Sequence, residues 1–254
     1  MDLVFQKDFL ARWKKHFDGA ELPITFFYGA DPDPGTVVRQ PKGHRCVIAD
    51  IGKVRKGKDL AFDVRSLGCG GAQRYCGFAS QLRENFEYFL SYGIPGKLEG
   101  ERYKKSPEIV RDMLAAGPTL KAPKPFIVFK RWDRLGREDE PDVAVFFCRP
   151  DVMAGLFTLA SFDERDQGGV IAPFAAGCGG IVLFPWLEQQ AARPRCVIGM
   201  FDVSARPFVE GSVLSFSVPM KKLRTMVGNM DESFLITPSW AKVRRRLARS
   251  PHPG

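Results

Sequence analysis

Cysteine and glycine occur together at two places in this sequence, and their types and spacing could support chemistry. The first place is Gly68-Cys69-Gly70-Gly71, which is followed by Cys76, and the second is Gly177-Cys178-Gly179-Gly180. Glycine lets a backbone approach a ligand or another segment closely, and thiols bind metals, attack electrophiles or pack as small apolar groups. Two copies of one short motif predict a paired site where the two loops meet.

One hypothesis is a thiolate-held metal or an iron-sulfur cluster at Cys46, Cys69 and Cys178, with Cys76 or His44 as a fourth ligand. Such sites need several sulfur ligands, and glycine N–H groups can hydrogen-bond to those sulfurs. The spacing gives this hypothesis little support. The chain has no Cys-x-x-Cys pair, and the step from Cys69 to Cys76 matches no standard ligand pattern.

A second hypothesis is a metal-free pocket for a small anionic ligand, in an enzyme or in a binding protein. The glycine N–H groups of both loops could bind a carboxylate or phosphate, Arg74 could add positive charge, and Cys69 or Cys178 could act as a nucleophile or redox thiol. The ligand-binding residues predicted in this way are Gly68, Gly70, Gly71, Arg74, Gly177, Gly179 and Gly180. Their spacing is neither a dinucleotide fingerprint nor a P-loop.

A third hypothesis is a regulatory or interaction protein in which the cysteines only pack, since free cysteine is among the most buried residue types. The formal net charge of +9 raises the question of nucleic-acid binding. Much of the basic excess lies in residues 53–58 and 242–249, and no recognised binding module accompanies it. A solvated helix end therefore explains the terminal arginines better, and we do not predict nucleic-acid binding.

The composition is that of a globular protein, because 254 residues with 44% hydrophobic content can bury a substantial core. The apolar runs are too short for a bilayer crossing, and the opening residues lack the pattern of a signal peptide. We expect a cytoplasmic protein without a membrane segment, in which the six cysteines are reduced. We also expect residues 1–254 to form one compact domain.

The pattern of apolar residues predicts an α+β fold with a mixed or antiparallel sheet and flanking helices. Strands are predicted at residues 22–28, 46–51, 60–64, 126–130, 143–147, 196–201 and 213–218. Helices are predicted at residues 3–17, 82–90, 107–116 and 150–160, and after Pro219 and Pro238. Residues 126–130 and 143–147 are expected to pair as a hairpin, while residues 181–186 fit either a strand or a helix.

Short similarities also suggest an internal duplication, with halves at residues 20–117 and 126–228 that each carry one Gly-Cys-Gly-Gly loop. The proline-rich residues 118–125 would connect the halves. Residues 229–254 would form a helical C-terminal extension.

Taken in order, several segments resemble the uncharacterised family called domain of unknown function 169, over roughly residues 20–230. The segments are Pro23–Phe27, Cys46, Cys69-Gly-Gly-Ala, Gly77-Phe78, Pro141-Asp142-Val-Ala-Val, Cys178 and Val218-Pro219. The resemblance implies no activity, because the family has none established. It does imply that Cys46, Cys69 and Cys178 occupy cysteine positions typical of the family, whereas Cys76 stands where leucine is commoner.

Overall fold

A single seven-stranded sheet organises residues 1–249, the part of the chain that the computed structural model describes. The strands are β1 (Ile24–Gly29), β2 (Leu60–Phe62), β3 (Phe126–Arg131), β4 (Val143–Cys148), β5 (Val170–Ile171), β6 (Cys196–Gly199) and β7 (Leu214–Pro219). Their order is β2-β3-β1-β4-β7-β6-β5. Each neighbouring pair is antiparallel except β5 with β6, which is parallel. The predicted α+β fold with a mixed sheet is therefore confirmed.

Helices cover both faces of this sheet. They are α1 (Leu3–Phe17), α2 (Val47–Arg55), α3 (Gly70–Tyr75), α4 (Phe86–Phe89), α5 (Pro107–Ala116), α6 (Pro150–Ala160), α7 (Phe184–Gln190), α8 (Met220–Asn229) and α9 (Pro238–Arg249). Local signals set several of the starts. The Asp2 side chain accepts a hydrogen bond from the Val4 N–H at the start of α1, and proline occupies the first position of α5, α6 and α9.

Alternating side chains of the central strands supply two hydrophobic cores, one on each face of the sheet. In β4, Val145 packs with α2 and α3 on one face, which we call the site face, whereas Phe146 packs with α1, α6, α8 and α9 on the opposite face. All six residues of β4 are buried because the strand is covered on both sides.

The C-terminal helix belongs to the packing of the opposite face. The Trp240 indole N–H donates to the His16 carbonyl at 2.9 Å, and the Trp240 ring lies against Gly155, where an added Cβ atom would approach it to 2.4 Å. The predicted helical extension thus includes α9, while residues 250–254 lie outside the described range.

The strand predicted at residues 46–51 is wrong, because this segment opens α2. Val47, Ile48, Ile51 and Val54 are all buried in the site-face core, and their spacing follows a helical period. The β-branched side chains suggested a strand, but amphipathic packing outweighs that modest propensity. The helix predicted at residues 82–90 is likewise reduced to the four residues of α4.

The hairpin predicted between residues 126–130 and 143–147 is also wrong, because β1 lies between β3 and β4. Phe26 of β1 pairs with Phe129 of β3, and Ile24 of β1 pairs with Val145 of β4. The Phe26 and Phe129 rings lie 5.8 Å apart, and this contact joins residues far apart in sequence. Sequence proximity favoured the hairpin, whereas long-range side-chain packing determines the observed order.

The predicted duplication is not confirmed. β1 and β4 are neighbours at the centre of the sheet, but the Gly-Cys-Gly-Gly segments occupy different places in the strand sequence. The first lies between β2 and β3, and the second between β5 and β6. The proposed boundary at residues 118–125 also separates β3 from β1 and β2, with which it forms one side of the sheet.

Candidate functional site

Both Gly-Cys-Gly-Gly segments open helical turns on the site face. The first leads into α3, and the second leads into a π-helical turn, Gly179–Leu183, which continues as α7. The two segments contact each other through Tyr75 at the end of α3. An added Cβ atom on Gly179 would lie 3.4 Å from Cδ1 of the Tyr75 ring, so glycine permits this approach.

Four cysteines gather around this contact. Cys46 precedes α2, Cys69 precedes α3, Cys76 follows α3, and Cys178 precedes the π-helical turn. They lie close enough to influence one another electrostatically. The structure thus brings together the four cysteines that the sequence suggested as metal ligands.

Burial makes two of these thiols poor nucleophiles. It raises the pKa of Cys76 to about 12 and that of Cys178 well above its ordinary value, so both are uncharged at neutral pH. Burial also raises the pKa of Cys46, although nearby backbone N–H groups partly oppose the shift. Cys46 and Cys69 alone among the six cysteines are partly exposed. Cys178 is therefore less suited to nucleophilic chemistry than the sequence suggested.

The side-chain arrangement gives no support to the metal hypothesis. Within residues 1–249, no three side chains of histidine, cysteine, aspartate or glutamate are placed so that they could hold a metal ion. Helix starts bring the sulfurs near one another, but a metal site also needs their directions to converge on one point. A thiolate-held metal or iron-sulfur cluster at these cysteines stays a prediction from the sequence.

Asp202 joins the cysteine cluster and was not suggested by the sequence. Its Oδ2 atom accepts the backbone N–H of Gly177 at 2.9 Å, and its Oδ1 atom accepts both the backbone N–H and the hydroxyl of Ser204. The carboxylate is close enough to Cys46 and Cys178 to raise the pKa of each thiol. Asp202 thus holds the second glycine-cysteine segment in place and adds negative charge beside the sulfurs.

A cavity of about 660 Å³ opens beside the C-terminal end of α3. Its apolar wall includes Tyr75, Phe78 and Leu120, and Leu183 from the π-helical turn completes the lining next to the second glycine-cysteine segment. The cavity is large enough to hold a small organic molecule. None of the six cysteines lines it, so the cavity and the cysteine cluster are adjacent but separate features.

Residues 118–125 form the far wall of the cavity, and Gly77 fixes their position. Gly77 has a φ of +83°, and an added Cβ atom would lie 2.6 Å from the backbone nitrogen of Ala122. The Ala122 N–H donates to the Gly77 carbonyl at 2.8 Å. This close crossing needs glycine, and prolines 118, 123 and 125 restrict the wall further.

Three cationic side chains border the cavity: Arg74 from α3, and Lys121 and Lys124 from residues 118–125. Arg74 donates from Nη1 to the Ser80 carbonyl, which holds its guanidinium near the cavity. Both lysines are exposed to solvent. An apolar wall bordered by three cations suits an anion that has an apolar body.

Of the predicted ligand-binding residues, Arg74 alone lines the cavity. The glycines serve close packing at several points. An added Cβ atom would lie 2.6 Å from Pro41 at Gly68, 3.1 Å from Ala205 at Gly177, and 3.2 Å from Gly199 at Gly180. Gly70 has no neighbour within 4 Å of that position, and Gly71 lies against the Cys69 sulfur.

Asp142 directly precedes β4, and its carboxyl lies close enough to Lys124, which borders the cavity, for their charges to interact. Burial raises the pKa of its carboxyl to about 6, although the Tyr28 backbone N–H and the charge of Lys124 oppose the shift. The carboxyl thus changes charge just below neutral pH and does so close enough to Lys124 to affect it. The sequence analysis cited Asp142 only for the family resemblance and did not assign it to the site.

These features define an α+β protein with a ligand-sized cavity and a cysteine cluster on one face of a mixed sheet. The chain matches the family model DUF169, described as "Uncharacterised ArCR", over residues 18–229, and it therefore belongs to this family. The family resemblance predicted from the order of its motifs is confirmed. No curated protein and no solved structure matches the chain.

Within residues 1–249, no helix is both long enough and apolar enough to cross a bilayer.

Proposed function

We propose that the protein binds a small organic anion in the cavity beside α3, with the apolar part of the ligand against Phe78 and Leu183 and its carboxylate or phosphate near the three cations. The observation that carries the proposal is one cavity of about 660 Å³ that combines an apolar wall with Arg74, Lys121 and Lys124. This combination agrees with the small-anion hypothesis drawn from the sequence, although the glycines of the two Gly-Cys-Gly-Gly segments do not line the cavity.

The size of the cavity supports a drug-sized or smaller ligand, since such pockets usually span about 300 to 1,000 Å³. Apolar surface removed from water would supply affinity at roughly 25 cal/mol per Å² before the costs of association are subtracted. The cations would contribute orientation and selectivity, because Arg74 can donate two parallel hydrogen bonds to a carboxylate or phosphate.

The wall is suited to binding because its shape is set before the ligand arrives. Gly77 holds residues 120–122 at van der Waals distance from the end of α3, and the Ala122 N–H is hydrogen-bonded to the Gly77 carbonyl. The prolines in the same segment leave it few alternative conformations. A preformed wall lowers the conformational entropy lost on binding.

Calorimetric titration with three matched probes tests the proposal: benzoate, phenyl phosphate and the uncharged benzyl alcohol. The two anions should bind more tightly than the alcohol. Charge reversal by Lys121→Glu together with Lys124→Glu should weaken anion binding about tenfold or more, since a loss of 1.4 kcal/mol is a factor of ten. Lys242→Glu is the control, because this exposed lysine of α9 does not line the cavity.

Two results would overturn the proposal. One is the absence of binding by any of the three probes to the folded protein. The other is binding that is equal for benzoate and benzyl alcohol and unchanged by reversal of the two lysine charges. Far-ultraviolet circular dichroism of each variant would show that a loss of binding does not come from unfolding.

We further infer that the chain works as one domain in the reducing environment of the cytoplasm. Support for the single domain comes from the central strands, which supply side chains to both hydrophobic cores. Support for the compartment comes from the cysteines, all six of which are free. Cell fractionation with an antibody to the protein tests the location, and a calorimetric scan with two separate transitions would contradict the single domain.

A further inference from the structure

Cys46 and Cys69 lie on two neighbouring segments, and the residue before Cys46 contacts the residue before Cys69. The Arg45 N–H donates to the Gly68 carbonyl at 3.2 Å, and an added Cβ atom on Gly68 would lie 3.1 Å from Cβ of Arg45. The charge of one thiolate would also act on the other thiol. The two partly exposed cysteines of the chain are therefore neighbours, at the starts of α2 and α3.

We propose that Cys69 and Cys46 form a reversible oxidation site that a hydroperoxide converts into a disulfide. The Cys69 thiolate attacks one peroxide oxygen, the O–O bond breaks, and the leaving oxygen takes up the former thiol proton, which gives water or an alcohol and a sulfenic acid on Cys69. The Cys46 thiolate then attacks the Cys69 sulfur, forming the S–S bond. The S–O bond breaks, and hydroxide leaves as water with the Cys46 proton. The two sulfurs together lose two electrons, which reduce the peroxide.

Access favours Cys69 as the first thiol to react. It is partly exposed, and the turn that follows it is open, because an added Cβ atom on Gly70 would meet no atom within 4 Å. An added Cβ atom on Gly71 would lie 3.6 Å from the Cys69 sulfur, so the absence of a side chain on Gly71 leaves space beside that sulfur. A partly exposed cysteine beside an open turn gives a peroxide room to approach.

The deeper cysteines of the cluster are excluded by their protonation as well as their burial. Cys76 and Cys178 are buried, and burial raises the pKa of Cys76 to about 12. Both thiols are therefore shielded from a peroxide in the solvent and protonated at neutral pH. Cys46 is the remaining neighbour, and Arg45 directly before it is hydrogen-bonded to the segment that carries Cys69.

Alkylation rates provide a test that needs no variant. The native reduced protein is treated with iodoacetamide for increasing times, and the modified cysteines are identified by peptide mass spectrometry. We expect Cys69 and Cys46 to be alkylated at least about tenfold faster than Cys76 and Cys178, because the first two are partly exposed and the last two are buried. Equal rates for all four cysteines would overturn the proposal.

Peroxide treatment tests the bond itself. Hydrogen peroxide should remove the mass of two hydrogen atoms from the protein, the linked peptides should contain Cys46 and Cys69, and dithiothreitol should reverse the change. In Cys46→Ser, dimedone should trap a sulfenic acid on Cys69. Cys196→Ser, which changes a buried cysteine of β6, is the control and should still form the bond. A disulfide that involves Cys76 or Cys178, or no disulfide in the folded wild-type protein, would refute the proposal.

Discussion

Replacing Asp142 by asparagine should stabilise the protein above neutral pH. Burial raises the pKa of this carboxyl from 3.8 to about 6. The folded state thus binds its proton more tightly than the unfolded state does, so the favourable contribution is present at low pH and is lost as the pH rises through about 6. A tenfold change in proton affinity corresponds to about 1.4 kcal/mol, so this rise in pKa means that ionising Asp142 in the folded protein costs about 3 kcal/mol.

The Asp142→Asn variant removes that cost and keeps an oxygen for the Tyr28 N–H. Urea unfolding at about pH 8 should show a gain in the free energy of unfolding of up to about 3 kcal/mol, and the gain should shrink toward about pH 4. Asp133→Asn is the matched control of opposite sign, because Arg131 lowers the pKa of Asp133 and its loss should destabilise the protein at neutral pH. A gain for Asp142→Asn that is absent at about pH 8 or independent of pH would refute the argument.

Three further predictions follow from named contacts. Gly77→Ala should lower the free energy of unfolding by roughly 1 to 3 kcal/mol, because Gly77 has a positive φ and lies against Ala122. Gly70→Ala is the control and should change the free energy of unfolding by less than about 0.5 kcal/mol, because the added methyl group would lie in open space. Urea unfolding measures both variants. Benzoate should bind several-fold more tightly as the pH falls through about 6, since protonation of Asp142 removes a negative charge near Lys124, and titration of Asp142→Asn should show no such step. Asp231→Asn should destabilise the protein at neutral pH but not below about pH 2, because hydrogen bonds from Lys15 and His16 lower the pKa of Asp231 to about 2. Thermal unfolding of the wild-type protein and the variant across that pH range measures the difference in stability.

Elements with strong local signals were predictable from the sequence. α1 carries apolar residues at helical spacing, and α5 begins with a proline after Ser106, so the sequence predicts both helices with their observed bounds. The valine and isoleucine residues of α2 favour a strand by their β-propensity, and their helical spacing becomes decisive only because the buried side packs against the sheet. The position of β1 between β3 and β4 depends on side-chain packing between distant segments, which periodicity does not report.

The site was predictable only in part. The sequence named Arg74 and the four clustered cysteines, because unusual residue types repeated at two places. It missed Lys121 and Lys124, since a proline-rich stretch between two elements resembles a simple connector. The Gly77 crossing turns that stretch into a cavity wall, and its positive φ and backbone contact exist only in the folded chain. Asp142 was missed as a site residue for the same reason, because its raised pKa comes from burial by other segments.

A crystal structure of the protein soaked with phenyl phosphate tests the central claim most directly. We expect the phenyl ring between Phe78 and Leu183, and the phosphate within hydrogen-bond distance of Arg74 and at least one of Lys121 and Lys124. Phenyl phosphate bound only elsewhere on the surface, with the cavity beside α3 filled by water at a saturating concentration, would contradict the account.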